Sequence, residues 1–105
     1  MTFINLTPHT LNVHTNNQTL VIPPSGEIAR VASVSVEAEA IGDVPTVRTQ
    51  LGEVTGLPDP VEGVFLIVSG MVASAAPRGD VLSPGDLVRD EGGRPIGCRG
   101  LRRSV

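Results

Sequence analysis

Phe3 and Phe65 are the only aromatic residues in this chain, which contains neither Trp nor Tyr. Rings usually supply a large share of the buried area of a small domain. Here Val, Leu, Ile and Ala must build nearly all of the core, at about 25 cal/mol per Å² removed from water. A chain of 105 residues supports one such core, so a single domain over residues 1–105 is expected.

All eight cations are Arg and the net charge is −3, a balance that argues against general nucleic-acid binding. The charge is blocked along the chain. Residues 1–26 carry no Asp, Glu or Arg, whereas Glu27–Gly63 holds seven acids against Arg30 and Arg48, a balance of −5. Residues 64–93 add −2, and the last twelve bring Arg94, Arg99, Arg102 and Arg103 with no acid, +4. The lone cysteine, Cys98, can form no internal disulfide, which fits a reducing compartment. The N-terminus lacks the basic start and apolar run of a signal peptide. The longest apolar run, Val64–Val68, is far short of the ~20 residues of a membrane span. A cytoplasmic protein without membrane association is expected.

Short strands separated by turns are the dominant pattern. Leu11-Asn12-Val13-His14 alternates apolar and polar, Asn16-Asn17 suits a turn, and Thr19–Ile22 follows, so residues 10–22 read as a β-hairpin. Val34-Ser35-Val36 and Pro45–Thr49 read as strands, the first continuing into the helix-favouring Glu37–Ala40. Gly56–Pro60 is a stiff loop, because two prolines in three residues forbid regular structure. Val64–Val68 is the best candidate for a central strand buried on both faces. Ser69 is placed to cap a short helix that Pro77 stops. Leu87–Cys98 reads as a terminal hairpin turning at Gly92-Gly93. The fold class is therefore mostly β, a small sandwich or barrel-like sheet of short antiparallel strands, with one short helix near 69–76.

No Gly-rich loop with Lys, paired-Cys motif or nucleophile elbow is present, so neither catalytic chemistry nor a cofactor is expected. Cys98 with His9 or His14 would make a thiol and its base. A Cys beside Ile96 and glycine reads better as a small buried hydrophobe. His9 and His14 are five residues apart, an odd separation that turns them to opposite faces of a strand and away from a shared metal. Arg78-Gly79-Asp80 spells an adhesion tripeptide and reads as a polar turn. Asp80, Asp86, Asp90 and Glu91 all lie beside Gly or Pro, where Asp commonly bonds its own backbone. The chemically coherent set is Arg78, Arg89, Arg94 and Arg99, whose planar forks suit phosphate or carboxylate. Surface pairing with the neighbouring acids is the competing reading.

Asn5-Leu6-Thr7-Pro8-His9, Val54-Thr55-Gly56-Leu57-Pro58, Ile67-Val68-Ser69, Pro77-Arg78-Gly79-Asp80 and Val88-Arg89-Asp90 to Ile96-Gly97-Cys98, in that order, resemble a family of short proteins scattered through bacteriophages and prophages, especially of actinobacteria and their relatives. The resemblance spans nearly the whole chain and is tied to no catalytic chemistry, so it carries over no residue role. It implies a phage accessory protein in a bacterial host cytoplasm. Small phage proteins of this sort often block host defence, including by sequestering nucleotide signals in pockets built by oligomers, which is an analogy of context.

The expectation is a non-catalytic homo-oligomer that binds a small anionic ligand, a nucleotide signal in the phage setting, through Arg78, Arg89, Arg94 and Arg99. Base stacking is short of partners, since Phe65 is expected inside, so Arg would substitute. The alternative is a structural or protein-interaction module docking on a host or virion protein, favoured by the uncharged first 26 residues.

Overall fold

Apolar runs of strand length and turn residues alternate through the sequence, and the computed structural model, which describes residues 1–105, follows that punctuation. In chain order the elements are β1 (Thr2–Asn5), β2 (Leu11–His14), β3 (Thr19–Ile22), β4 (Arg30–Ile41), β5 (Val44–Thr55), β6 (Val64–Ile67), α1 (Gly70–Ala75), β7 (Val81–Arg89) and β8 (Pro95–Arg103). Six strands form a nearly closed, barrel-like sheet, while β4 and β5 form a separate ribbon. The mostly β class with one short helix is thus what forms.

β6 is the hub. It runs parallel to both neighbours, β1 and β7, and Leu66, Ile67 and Val68 are almost fully buried. Parallel neighbours cannot be joined by a tight hairpin, so the chain must cross over. α1 makes that crossing from β6 to β7. The Ser69 hydroxyl caps it, accepting from the Val72 N–H at 3.2 Å, and Pro77 follows its end. No helix is long and apolar enough to cross a membrane. The sheet order is β1-β6-β7-β8-β2-β3, and the β2–β3 and β7–β8 hairpins match the sequence expectation. Strand direction differs from the antiparallel arrangement expected: β1·β6, β6·β7 and β2·β8 are parallel.

β1 and β3 are the sheet edges, and Asn5 draws them together. Its side chain, 1% exposed, donates to the carbonyls of His9 (2.8 Å) and Ile22 (3.0 Å). Its amide oxygen accepts from the Thr7 N–H (2.9 Å) and the Thr7 hydroxyl (2.6 Å). Asn5 ends β1 and Ile22 ends β3, so one side chain ties the two edges. The Ser25 N–H then bonds the Asn5 carbonyl and the Ala29 N–H bonds that of Leu6, covering backbone an edge strand leaves bare. Beneath this knot Leu6, Leu66, Val68, Val72 and Val81 pack with Ala29 and Ala73, and Val31, Val54 and Leu57 close the cluster at the foot of the ribbon. That cluster contains no ring, as the composition required.

The ribbon is the least anticipated element. β4 and β5 pair only with each other and turn through Gly42, whose φ of +59° suits the first position of a two-residue hairpin turn. Twelve residues per strand extend about 37 Å at ~3.4 Å each. The sequence marks strands at Val34–Val36 and Pro45–Thr49, and both continue well beyond those limits. Between Arg30 and Thr55 no residue is buried. The Cα radius of gyration is accordingly 16.5 Å, against ~13 Å for a compact chain of this length. The accessible surface is 7225 Å², against roughly 5,600 Å² for a compact monomer of this mass.

Candidate functional site

The four expected arginines are held apart. Arg78 precedes β7 and Arg89 ends it, so a nine-residue strand of about 27 Å separates them. Arg89 donates from Nη1 to the Gly93 carbonyl at 2.8 Å, bracing the β7–β8 turn. Arg94 stands on the other side of that turn with its guanidinium exposed. Arg99 lies mid-strand in β8, opposite Asp86, while the register partner of Arg89 is Pro95. The hairpin that was to bring Arg89 and Arg99 together does form, but its register leaves them about four residues, some 13 Å, out of step. Within one chain these four cannot share one small anion, which corrects the expected site.

Arg78 is a clasp. Its Nε and Nη2 donate to the two carboxylate oxygens of Asp80 at 2.9 and 2.7 Å, and Nη2 also reaches the Pro58 carbonyl at 3.0 Å. The Ser104 hydroxyl accepts from the Arg78 N–H (3.0 Å) and donates to its carbonyl (2.7 Å). The Gly56–Pro60 loop, the start of β7 and the C-terminus meet on this residue, so the tripeptide at 78–80 is structural. Hydrogen bonding from Arg78 holds the Asp80 carboxyl below its ordinary range, and the same bond raises Arg78. A carboxyl lowered in the folded state adds stability above its unfolded value near 4, lost as pH falls through the folded value. Arg78→Ala is expected to cost roughly 1–2 kcal/mol at pH 7, the charged bonds being discounted for partial exposure. The difference should shrink as pH falls below the unfolded value and through the lowered folded one. Urea melts at pH 7 and in strong acid check this, and a loss independent of pH would show that the ion pair is not the cause. Arg78→Lys should recover little, since an ammonium cannot form the fork.

Arg102 and Arg103, outside the expected set, do border one hollow. It measures about 400 Å³ and lies between α1 and the ends of β7 and β8, with Ser74, Ser83, Ser104 and Gly70 also in its wall and no acid among its lining residues. Ser83 and Arg102 are direct partners across the antiparallel pair and so share a face. Ser83 is 4% exposed, and its hydroxyl makes no hydrogen bond within the chain. That hydroxyl still reaches solvent through the hollow, the buried side-chain polar atom left without a partner being Nε2 of His14, so it is free to donate to a ligand oxygen. Arg102 rests on Asp86 at 2.8 Å with both side chains largely exposed. Such pairs contribute little, so the guanidinium can turn to a ligand. The sequence signal was the +4 block at the C-terminus, read there through Arg94 and Arg99 alone.

A second hollow, about 290 Å³ and mainly apolar, occupies the inside of the curled sheet. All six strands contribute: Phe3, Val13, Leu20, Phe65, Leu82 and Leu101 form its walls, with Met1, Thr15 and Arg103 also lining it. Phe3 and Phe65 are register partners on parallel strands, their ring centres 5.9 Å apart and tilted by 40°. Phe65 is thus only half-buried rather than internal.

Cys98 is buried in β8 between β2 and β7 and is a packing residue. His9 is exposed, whereas His14 sits on β2 with Nδ1 3.1 Å from the Thr19 hydroxyl. No three His, Cys, Asp or Glu side chains are grouped to hold a metal ion. Asp90 serves its turn, its carboxylate accepting from the N–H groups of Gly92 and Arg94, both at 2.9 Å. No protein-family model, curated protein or solved structure matches this chain.

Proposed function

We propose that this chain is a non-catalytic module that captures a small phosphate-bearing anion in the hollow between α1 and the β7–β8 ends, and that as a phage accessory protein it sequesters a nucleotide signal of its host. The observation that carries the reading is the pairing of Ser83 with Arg102 across the β7–β8 register at an acid-free hollow, the Ser83 hydroxyl having no hydrogen-bond partner within the chain. Phosphate offers both the acceptor that hydroxyl lacks and the charge that a guanidinium fork recognises. The nucleotide class is supported by the phage-like signposts and by the absence of a catalytic motif.

Titration with pyrophosphate and with a panel of cyclic and ADP-ribose-type nucleotides tests the reading. A true ligand at a hundredfold its Kd should stabilise the protein by about 2.7 kcal/mol, enough to raise Tm by roughly 10 °C. Arg102→Glu should weaken binding at least tenfold, whereas Arg89→Ala and Arg94→Ala leave it unchanged. Ligand recovered intact after denaturation separates capture from turnover. No thermal shift with any member of the panel at millimolar concentration would sink the reading. The projecting β4–β5 ribbon favours a second reading, a protein-interaction module, because a two-stranded ribbon alone is marginal in water.

A further inference from the structure

The ribbon ends in aliphatic residues. Ile41 is 74% exposed and Val44 61% exposed, and they flank the Gly42-Asp43 turn at the far end of the arm. Hairpin tips are normally polar, and apolar side chains held out on an arm mark a surface made for contact. Elsewhere on the same molecule is a complementary shape: the hollow of about 290 Å³ walled by Phe3, Phe65, Leu20 and Leu101. An apolar cavity of about 150 Å³ already admits a benzene-sized group, so this one has room for two aliphatic side chains.

Charge and area point the same way. From Glu27 to Thr55 five acids face two arginines, a balance of −3, and none of those acids forms an ion pair in its own chain. The hollow opens beside β8, whose Arg103 lines it and has no acid partner either. The surface in excess of a compact monomer, about 1,600 Å² per chain, is about twice the ~800 Å² that each partner gives to a standard protein–protein interface.

We propose that the ribbon tip of one copy inserts Ile41 and Val44 into the Phe3–Phe65 hollow of a second copy, with Asp43 meeting Arg103, and that reciprocal insertion closes a twofold dimer. Both copies then present the same two patches to each other, which is the condition for a closed rather than an open assembly. The proposal shares only Arg103 with the anion hollow and survives that site's failure.

Sedimentation velocity of the full chain at 1–100 μM and low salt is the primary test. The wild type is expected to form a dimer, and Ile41→Asp with Val44→Asp to weaken it at least tenfold while leaving the circular dichroism spectrum unchanged. Because the chain has no Trp, Ile41→Trp gives a single reporter whose emission should shift to the blue over the concentrations at which dimers form. A wild type that stays monomeric at 100 μM overturns the proposal. So does a tip variant that dimerises as well as the wild type, which would indicate pairing along the ribbon edge instead. A Trp emission that stays solvent-like while dimers form also overturns it. Phosphate or nucleotide binding, measured on the monomeric tip variant, reports on the anion site separately.

Discussion

Asn5→Asp is expected to lower stability by roughly 3–5 kcal/mol at pH 7, the range for an uncompensated buried charge. The substitution replaces one NH₂ by oxygen and changes almost no volume. It removes both bonds that Asn5 donates, to His9 and Ile22, and sets a carboxylate against two carbonyl oxygens in a place that is 1% exposed. The unmet carbonyls add to that cost. With total stability of about 5–15 kcal/mol for a domain of this kind, such a loss is a large fraction of the whole. Urea denaturation should show a lower midpoint with an unchanged slope, as expected when stability rather than compactness is altered. The pH dependence has a definite sign. Burial beside carbonyls raises the pKa of the introduced carboxyl in the folded state, so the penalty is smallest below its unfolded value and grows as pH rises through the folded value. A deficit under 1 kcal/mol at pH 7 would mean that Asn5 does not tie β1 to β3 as described.

Gly85→Ala should cost about 3 kcal/mol or more, the upper end for forcing atoms into filled space, whereas Gly70→Ala should be neutral or stabilising. The same added methyl group meets opposite surroundings. At Gly85 it would run into the Arg99 carbonyl oxygen and lie 2.9 Å from that of Gly100, backbone atoms that cannot rotate away. Pro84 and Asp86 pair with Leu101 and Arg99 on either side of Gly85, which thus lies opposite Gly100, itself at φ +58°. At Gly70 nothing lies within 4 Å, and the residue opens α1, where Ala is favoured over Gly by up to about 1 kcal/mol. Thermal melts of the two variants side by side give the contrast. Equal effects of either sign would show that the crowding at Gly85 is relieved by local adjustment.

Much of the local structure was legible because its causes are local. Gly93 turns the chain by its positive φ and the Thr15 hydroxyl holds the Asn16-Asn17 turn, and Ser69 and Pro77 bound α1 by supplying or withholding a hydrogen bond. Val64–Val68 declared a buried strand by having no polar residue. The Arg78–Asp80 pair was also within reach of the sequence, since the polar turn read at Arg78-Gly79-Asp80 brings residues two apart close together. Its reading as one of several surface pairs understated a clasp that also holds Pro58 and Ser104. The extent of the ribbon was less legible. Its strands alternate without a consistent apolar side, because Val34 and Val36 lie on one face and Val47 and Leu51 on the other. A ribbon that buries neither face leaves no single stripe to detect.

The sequence by itself determined the kind of molecule: an aliphatic β core, where the chain turns, where its one helix starts and stops, and a C-terminus rich in guanidinium groups. Only the tertiary structure decided which strands are neighbours, and with that which side chains meet. Period-two patterning says which face a residue takes but is silent on what lies across from it. That silence is why Arg78, the Arg89–Arg94 turn and Arg99, close in sequence terms, end at separate points along one long hairpin. It is also why Ser83 and Arg102, nineteen positions distant, come to face one hollow through a register that the whole sheet sets.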